Sequence, residues 1–597
     1  MNRAVFRRVS RRFAVRGCNS AHGRTRCFLA KLFLLHGVVS LLALASTRVF
    51  AQTPLPDSRG AQTQRLQQQK LDAGNTSGVL ADVHSPEVER PRLADLAHLP
   101  AEKPCFPVTR INLVGNPFVW VPEYLQPVVG QCVGAGGLKL VQDALGNELI
   151  ARGYITTRVL VPPQSLAGGT LTLRILPGRV SAIRSEKAGI GWLPVALPTH
   201  GGAILDQRDI DQALENIRRL PSQANAHFDI VPGARAGESD IVFHPDNGKR
   251  WHVMLGTDNA GQKSTGKYEL NGALTIDSPL FLYDQLQISG NTNANFGEPG
   301  KGTESEAVNY SVPFGYAMFT FGASRSRYLQ TVAGYGGEGT EYSGVQSRIT
   351  AGVSGVVFRN AHARTEVHAN LYHAINRNVI DGVEVGVQDR DLWGYELGIT
   401  HRQYIGAAQI GGSFTWRASL PGMSKNTGTV VGDGTFNGRT ELELASVDAL
   451  VPFHVFGQPF SYHFSWSMQN ARTPLTWPDY FMIGTRYAVR GFDQQLQLAA
   501  ESGWAVSNEL DWYVPTPLGT QALYAGIDVG RVRGPTVQWL IGDTLAGAVV
   551  GVRGVLAPKF AHGASLNYDL SVGCPVYRPR GFPDQSPTVL FVVSTLF

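Results

Sequence analysis

The 597-residue sequence is short of charge: Asp, Glu, Lys and Arg make up only 17% of it, while glycine numbers 67. Soluble domains average about 25% charged residues, so this balance argues against a water-soluble globule. Apolar runs of ~18 or more are also missing outside the N-terminus, which excludes a bundle of membrane helices. Neither HExxH nor GxSxG occurs, and no catalytic constellation stands out, so the chain reads as a non-enzyme needing no cofactor. His368 and His373 are not at the spacing of a helical metal site, so no metal is expected. What survives these exclusions is a transmembrane barrel, whose short alternating strands leave the mean hydropathy near zero.

The N-terminus reads as an export signal. A basic region (Arg3, Arg7, Arg8, Arg11, Arg12, Arg16, Arg24, Arg26, Lys31) precedes an apolar stretch over 32–45, and Val49-Phe50-Ala51 offers a cleavage site before Gln52. The apolar stretch is too short for a membrane anchor. Residues 1–51 carry ten Lys/Arg and no acid, so the formal charge of +6 becomes −4 without them. The basic isoelectric point is then no argument for nucleic acid. Of five cysteines, Cys105, Cys132 and Cys574 remain. The first two fall close together in a segment that export would place where disulfides persist. A bridge between them would contribute about 3–4 kcal/mol by loop closure. Cys574 is left over, and is expected to be buried or lipid-facing.

Residues 58–73, rich in Gln, Arg, Leu and Ala, favour a helix that stops at Gly74. Pro86, Pro91, Pro100 and Pro104 then mark an extended linker. Over 105–179 a short strand at Ile111 and Leu113 precedes one helical face of Leu138, Val141, Leu145 and Leu149, closed by Gly153-Tyr154. Two β-rich runs, 155–161 and 170–175, follow. Residues 180–250 repeat the plan: a strand at 180–184, a helix capped by Asp206 with Asp209 three residues on, an apolar face of Ile210, Leu214 and Ile217, and strands at 228–231 and 240–243.

From residue 251 onward the period is two. Tyr462, Phe464, Trp466 and Met468 alternate with Ser461, His463, Ser465 and Ser467. Trp504, Val506, Leu510 and Trp512 alternate with Ala505, Ser507, Glu509 and Asp511. One apolar and one polar face fit lipid outside and water inside. The final strand places Val589, Phe591, Val593, Thr595 and the terminal Phe597 on one face, resembling the signature read by barrel-assembly machinery. Gly334-Tyr335-Gly336-Gly337-Glu338-Gly339 formally matches a dinucleotide fingerprint, but no strand–helix unit surrounds it. The stretch 256–264 resembles a phosphate loop with Gln262 in the wrong place.

Several motifs carry a family resemblance across nearly all of the chain after the signal. Cys105-Phe106 with Cys132, Gly153-Tyr154-Ile155-Thr156-Thr157 and Pro163-Gln164-Ser165-Leu166 match a first periplasmic POTRA domain. Arg208-Asp209-Ile210-Asp211-Gln212 and Arg219-Leu220-Pro221-Ser222-Gln223 match a second. Asp277-Ser278-Pro279-Leu280 and Asp284 match the start of a barrel. Arg486-Tyr487-Ala488-Val489-Arg490-Gly491-Phe492 resembles the tip of the superfamily's long barrel loop, with Phe492 in place of the Tyr common in this branch. The sequence is similar to the TpsB transporters of two-partner secretion. That resemblance implies an all-β transmembrane barrel of sixteen antiparallel strands, two small α/β POTRA domains and an N-terminal helix plugging the pore. The corresponding division is 1–51 signal, 52–104 helix and linker, 105–179 and 180–250 POTRA, and 251–597 barrel. The implied partners are a cognate secreted exoprotein, the barrel-assembly machinery and outer-membrane lipid. A barrel-insertion factor usually carries more POTRA domains, and a solute porin would not explain two modules ahead of the barrel.

The loop can also be read from its residues. More than 30 residues separate two good strands at 471–503, and connections beyond ~12–15 residues are usually functional or disordered. Arg490, whose guanidinium cannot shed its charge, needs an acceptor inside a lumen. Alternation in residues 524–530 points Ile527 and Val529 outward and Asp528 inward beside Gly526 and Gly530. The family has an acidic residue on the corresponding strand. An Arg490–Asp528 pair in a wet lumen is expected to contribute only ~1–2 kcal/mol.

Overall fold

The computed structural model describes residues 96–294, 297–298, 300–333, 339–360, 362–426, 438–517, 519–557, 565–583 and 587–597. The expected signal, the helix at 58–73, most of the linker and residues 334–338 of the discounted glycine motif lie outside the described residues.

The first module is built around α1, Ala135–Ala151, which buries Val141, Ala144, Leu145 and Leu149 against a three-stranded sheet. That sheet pairs Arg110–Val114 in parallel with Thr170–Leu176, which in turn pairs antiparallel with Arg158–Leu160. Glycine and alanine open α1, so its first amides are capped from outside: the Glu102 carboxylate accepts from the backbone N–H of Gly136 (2.8 Å) and Gly137 (2.5 Å). Those two hydrogen bonds hold the carboxyl below its ordinary value. Gly153, at φ +95°, ends the helix as only glycine does readily, with the Tyr154 amide bonding back to Leu149. Cys105 and Cys132 form a disulfide beside the short pairing of Phe106–Pro107 with Cys132–Val133.

The second module repeats this with Arg179–Ser185, α2 at Gln207–Arg218, His227–Pro232 and Glu238–His244. Asp206 caps α2, accepting from the Arg208 amide at 2.9 Å. The expected face of Ile210, Leu214 and Ile217 is incomplete. Leu214 is only half-buried, whereas Gln212, Ala213 and Asn216 are buried on a second face. That second face meets the barrel. Asn216 Nδ2 donates to Gly315 O (2.7 Å) and Ala196 O (2.8 Å). Asp209 accepts from Tyr316 OH at 2.6 Å instead of turning back to the cap, and burial raises its carboxyl above the ordinary value. Arg219 donates to Tyr283 O (2.6 Å) and Ser311 Oγ (2.8 Å). Burial pushes this guanidinium down to about 10, so it stays charged at neutral pH.

Among the described residues the barrel has sixteen long antiparallel strands: β1 Trp251–Asp258, β2 Glu269–Asp277, β3 Gln285–Asn293, β4 Lys301–Phe314, β5 Ala317–Ala333, β6 Gly339–Arg359, β7 Ala363–Ile380, β8 Arg390–Ile405, β9 Ala408–Ser419, β10 Glu441–Val455, β11 Gln458–Ala471, β12 Ser502–Thr516, β13 Gly519–Arg533, β14 Thr544–Leu556, β15 Ser565–Tyr577 and β16 Thr588–Leu596. Each pairs with its sequence neighbour, and β16 closes on β1 from Val592↔Asp258 to Leu596↔Met254. Closure leaves no edge strand, which is what lets a sheet cross lipid. The turn between β2 and β3 holds Ser278, Phe281 and Tyr283 at φ of 54°, 58° and 52°. Its ring of bonds runs through Asp284, which accepts from the amides of Leu280 (3.1 Å) and Leu282 (3.0 Å). This forced turn drives Tyr283 into the second module, where Gly189 and Gly191 leave room for its ring against Phe243.

The cysteines of the disulfide are 27 residues apart. Cys105→Ser should therefore lower the stability of the first module by about 3–4 kcal/mol. Thermal melting of the purified protein with and without reductant checks this, together with mass mapping of the linked peptides. Free thiols at both positions in protein taken from the membrane would be the contrary result.

Candidate functional site

Residues 472–501 leave β11 and return to β12 through the lumen. Phe481–Ile483 and Leu498–Ala500 pair antiparallel as the stem of this loop. Gln469 on β11 fastens its base, donating to Asp479 O (2.6 Å) and Glu501 O (2.9 Å). Behind the stem, Thr536 Oγ1 bridges Tyr480 OH (2.9 Å) and Glu501 Oε1 (2.6 Å). Met482, Tyr480, Leu475 and Ala499 pack on Leu442 of β10, while Ile483, Val489 and Phe492 pack on Val532, Leu545 and Phe582.

The tip is Val489-Arg490-Gly491-Phe492. Val489 takes φ +64° and Gly491 φ +103°. A left-handed conformation is ordinary for the glycine but costs a β-branched residue about 1–3 kcal/mol. The reward for that shape is the seat of Arg490. Its backbone N–H and Nε both donate to Asp528 Oδ2 (2.9 and 2.7 Å), and Nη2 donates to Asp528 Oδ1 (2.9 Å) and Ser507 Oγ (3.0 Å). Nη1 bonds Glu509. Ser507 Oγ donates on to Asp528 Oδ1 at 2.6 Å. The Asp528 side chain is 2% exposed, that of Glu509 9% and that of Arg490 19%. The contact is therefore not the water-screened pair expected of an open lumen: the loop itself excludes the water. Breaking a buried pair from one side typically costs about 3–5 kcal/mol.

Glu509 was readable as an inward residue, but its role as a second acceptor was not. It also bonds Arg553, whose Nη2 reaches Asp511 Oδ1 at 2.9 Å, and His463 Nε2 lies 3.3 Å from Asp511 Oδ2. The carboxylates at the tip are thus taken up by guanidinium and hydroxyl donors, which leaves no open set for a metal there. The side chain of Cys574 is exposed on the outer face of β15 although its carbonyl backs Gly491 of the tip, and Phe597 pairs with Val253 at the closing seam.

Glycines make the seat. A Cβ at Gly526 would stand 2.8 Å from Arg490 Nη2, and one at Gly530 2.8 Å from Val489 Cγ2. Two more were not readable from the sequence: a Cβ at Gly547 would stand 1.8 Å from Arg490 O, and one at Gly573 2.8 Å from Gly491 Cα. The tip lies flush on the backbone of β13, β14 and β15, where no other residue type leaves space. Phe492 then closes the end, edge-on to Phe582 with centroids 5.8 Å apart.

The obstacle at Gly547 is backbone, which cannot swing away. Gly547→Ala should unseat the tip while the barrel still forms. Tryptic cleavage at Arg486 and Arg490 in detergent should become faster than in the native protein, with heat-modifiable migration retained. Unchanged protection of both bonds would contradict the seat.

Comparison with known proteins follows the same lines. Residues 237–554 match the haemolysin secretion/activation protein family ShlB/FhaC/HecB, residues 106–178 a ShlB-type POTRA domain and residues 179–232 a POTRA domain. The chain is 32% identical over 593 residues to the outer membrane transporter CdiB-2 of Burkholderia pseudomallei, spanning 95% of this chain and 100% of that protein. It is 30% identical to the outer membrane transporter CdiB of Escherichia coli, over 91% and 90% of the two chains. The solved structure of CdiB from Acinetobacter baumannii superposes with a TM-score of 0.78 at 26% identity, covering 91% of this chain and all of that one. With sixteen strands, two POTRA modules and these matches along its length, this outer-membrane chain belongs to the ShlB/FhaC/HecB haemolysin secretion/activation family.

Proposed function

We propose that the chain is the outer-membrane pore for one large cognate exoprotein, a β-helical adhesin, haemolysin or contact-dependent toxin, which it moves from periplasm to cell surface. The observation that carries this reading is the lumen. It holds a loop fastened at its tip by one guanidinium, and a fixed set of inward side chains could not move aside as a loop can. In this reading 105–179 and 180–250 capture the client, 251–597 is the pore, and the strand ending at Phe597 is the address read by barrel-assembly machinery.

Capture needs a surface that accepts many sequences. The sheets of the two modules have Arg110–Val114 and Arg158–Leu160, and Arg179–Ser185 and His227–Pro232, as their edge strands. An edge offers backbone hydrogen bonds to any extended segment, which suits an unfolded client. Folding outside the cell then prevents return, so the reading invokes no catalytic group and no cofactor. Nucleic acid has no part in it.

Arg490→Ala removes the contacts to both Asp528 and Glu509 and leaves Asp528 buried without its cation. It should abolish most secretion of the partner while the barrel still inserts. Asp528→Ala leaves Glu509 in place and should be milder. The double variant should be no worse than Arg490→Ala, because both lesions act on one contact. Arg490→Lys should not restore export, since ammonium lacks the planar fork that grips a carboxylate twice. Partner protein in the medium, normalised to inserted barrel, is the readout. Effects that multiply as independent lesions, or full export by Arg490→Ala, would sink the role given to the loop.

A further inference from the structure

We propose that the second POTRA module carries a site for a divalent transition-metal ion of the zinc type, with His227, Asp229 and His244 as ligands. The three arrive together through strand register. His227 opens the edge strand His227–Pro232, and His244 closes the central strand Glu238–His244 directly opposite it. Asp229 follows His227 by two, so it stands on the same face of the sheet. The two imidazoles stack at 4.7 Å between centroids and 11° between planes.

The hydrogen bonds at the far side of each ring fix which nitrogen is bare. His244 Nδ1 lies 2.8 Å from Glu186 Oε2, and His227 Nδ1 lies 3.3 Å from Asn225 O. A carboxylate and a carbonyl only accept, so each Nδ1 carries the hydrogen and each neutral ring presents a lone pair at Nε2. His244 Nε2 is buried with no hydrogen bond, yet stands 3.1 Å from Asp229 Oδ2. Two acceptors held this close, with no hydrogen bond between them, are both satisfied by a shared cation. A carboxylate on the distant nitrogen is also the usual support of a metal-bound histidine, orienting the ring and raising its basicity.

The ligand atoms lie within 4.8 Å of one another. Zinc bonds His and carboxylate at about 2.0–2.2 Å, so each ligand atom must move in by less than an ångström, and the exposed His227 ring must turn out of the stack so that both lone pairs meet at one ion. Asp229 can do so freely, its side chain being 57% exposed. His227 is exposed as well. Two imidazoles and one carboxylate suit zinc better than magnesium or calcium, which take oxygen ligands. Three protein ligands leave a fourth position toward solvent, open to water or to a side chain from a partner. Bound there, the ion would pin the first rung of the edge strand to its neighbour. Metal binding at this site does not depend on export, so its test stands apart from that of the proposed function.

The competing occupant is a proton, which would make His244 an imidazolium between Glu186 and Asp229. The two are separated by titrating the chelator-stripped, full-length protein in detergent with Zn²⁺ against a chromogenic competitor. Co²⁺ absorption reports the coordination geometry. One zinc per chain is expected, lost in His227→Ala and in His244→Ala. Glu186→Gln should weaken binding about 10–100-fold, as loss of a supporting carboxylate typically does. His373→Ala, whose ring bonds Asp391 and stacks on Trp393 in the barrel, away from the second module, should leave the zinc uptake unchanged. His227 is exposed at a strand end, so its removal leaves the fold intact, and a zinc-dependent rise in melting temperature should vanish with it. Equal zinc uptake by the native protein and His227→Ala/His244→Ala would overturn the proposal. So would the absence of uptake at micromolar free zinc.

Discussion

A guanidinium carried into the interior of a protein keeps its charge, and the position of the entire lumenal loop follows from where Arg490 can settle. The barrel offers two carboxylates on neighbouring strands, Asp528 of β13 and Glu509 of β12, and both bond to it. Reaching them requires the loop backbone to lie against the wall, because Asp528 is short and the Arg490 amide bonds the same oxygen as Nε. That closeness is possible only where the wall lacks side chains. The glycines at 526, 530, 547 and 573 are therefore consequences of the ion pair, as much as Ser507 and Arg553 are.

A second rigid contact fixes the direction from which a client would arrive. The β2–β3 turn adopts three left-handed residues, a conformation that stands only when its surroundings hold it. Those surroundings are the second module: Tyr283 buried between Gly191 and Phe243, Arg219 bonded to Tyr283 O, and Ser222 N donating to Asp277 at 2.9 Å. The helix α2 is buried on two faces because it serves two cores, its own sheet and the barrel turns. Glu215 extends the same contact to Arg359 and Arg364 on β6 and β7.

The local pattern of the fold was legible where one period decides it. The helical face of Leu138, Val141, Leu145 and Leu149 packs as spacing implies, with Leu138 at the margin of the core. Alternation also put Glu509, Asp511 and Asp528 on the inner face, since a strand has only two sides. Partners across strands were another matter. That Glu509 meets Arg490, or that Gly547 rather than Gly551 lies under the tip, depends on barrel stagger, which no short pattern encodes. The α2 face was read incompletely for a related reason: Ile210 and Ile217 are buried as spacing implies, but Asn216 and Gln212 look like solvent residues until a barrel turn covers them. Asp209 three residues after the cap suggested a reciprocal cap, but Tyr316, more than a hundred residues away, takes that carboxylate.

Holding a loop in a pore is useful for transport only if the loop can leave, and the energies at the tip bear on that. The buried Arg490 contacts are worth about 3–5 kcal/mol against removal of one partner. Val489 opposes them, since its left-handed backbone costs about 1–3 kcal/mol and is relieved once the tip lifts. Water also returns to both carboxylates and the guanidinium on lifting, so their desolvation cost is refunded. The polar part of the preference for the seated loop is then a few kcal/mol at most, to which the burial of Val489 and Phe492 adds, and a client that lifts the tip must offset both. Val489 and Phe492 expose hydrocarbon when the tip lifts, with no hydration to offset it, so a tip held by apolar contacts alone would lack the compensation that Arg490 provides. A charged tip on a strained residue is a latch that is firm when dry and weak when wet.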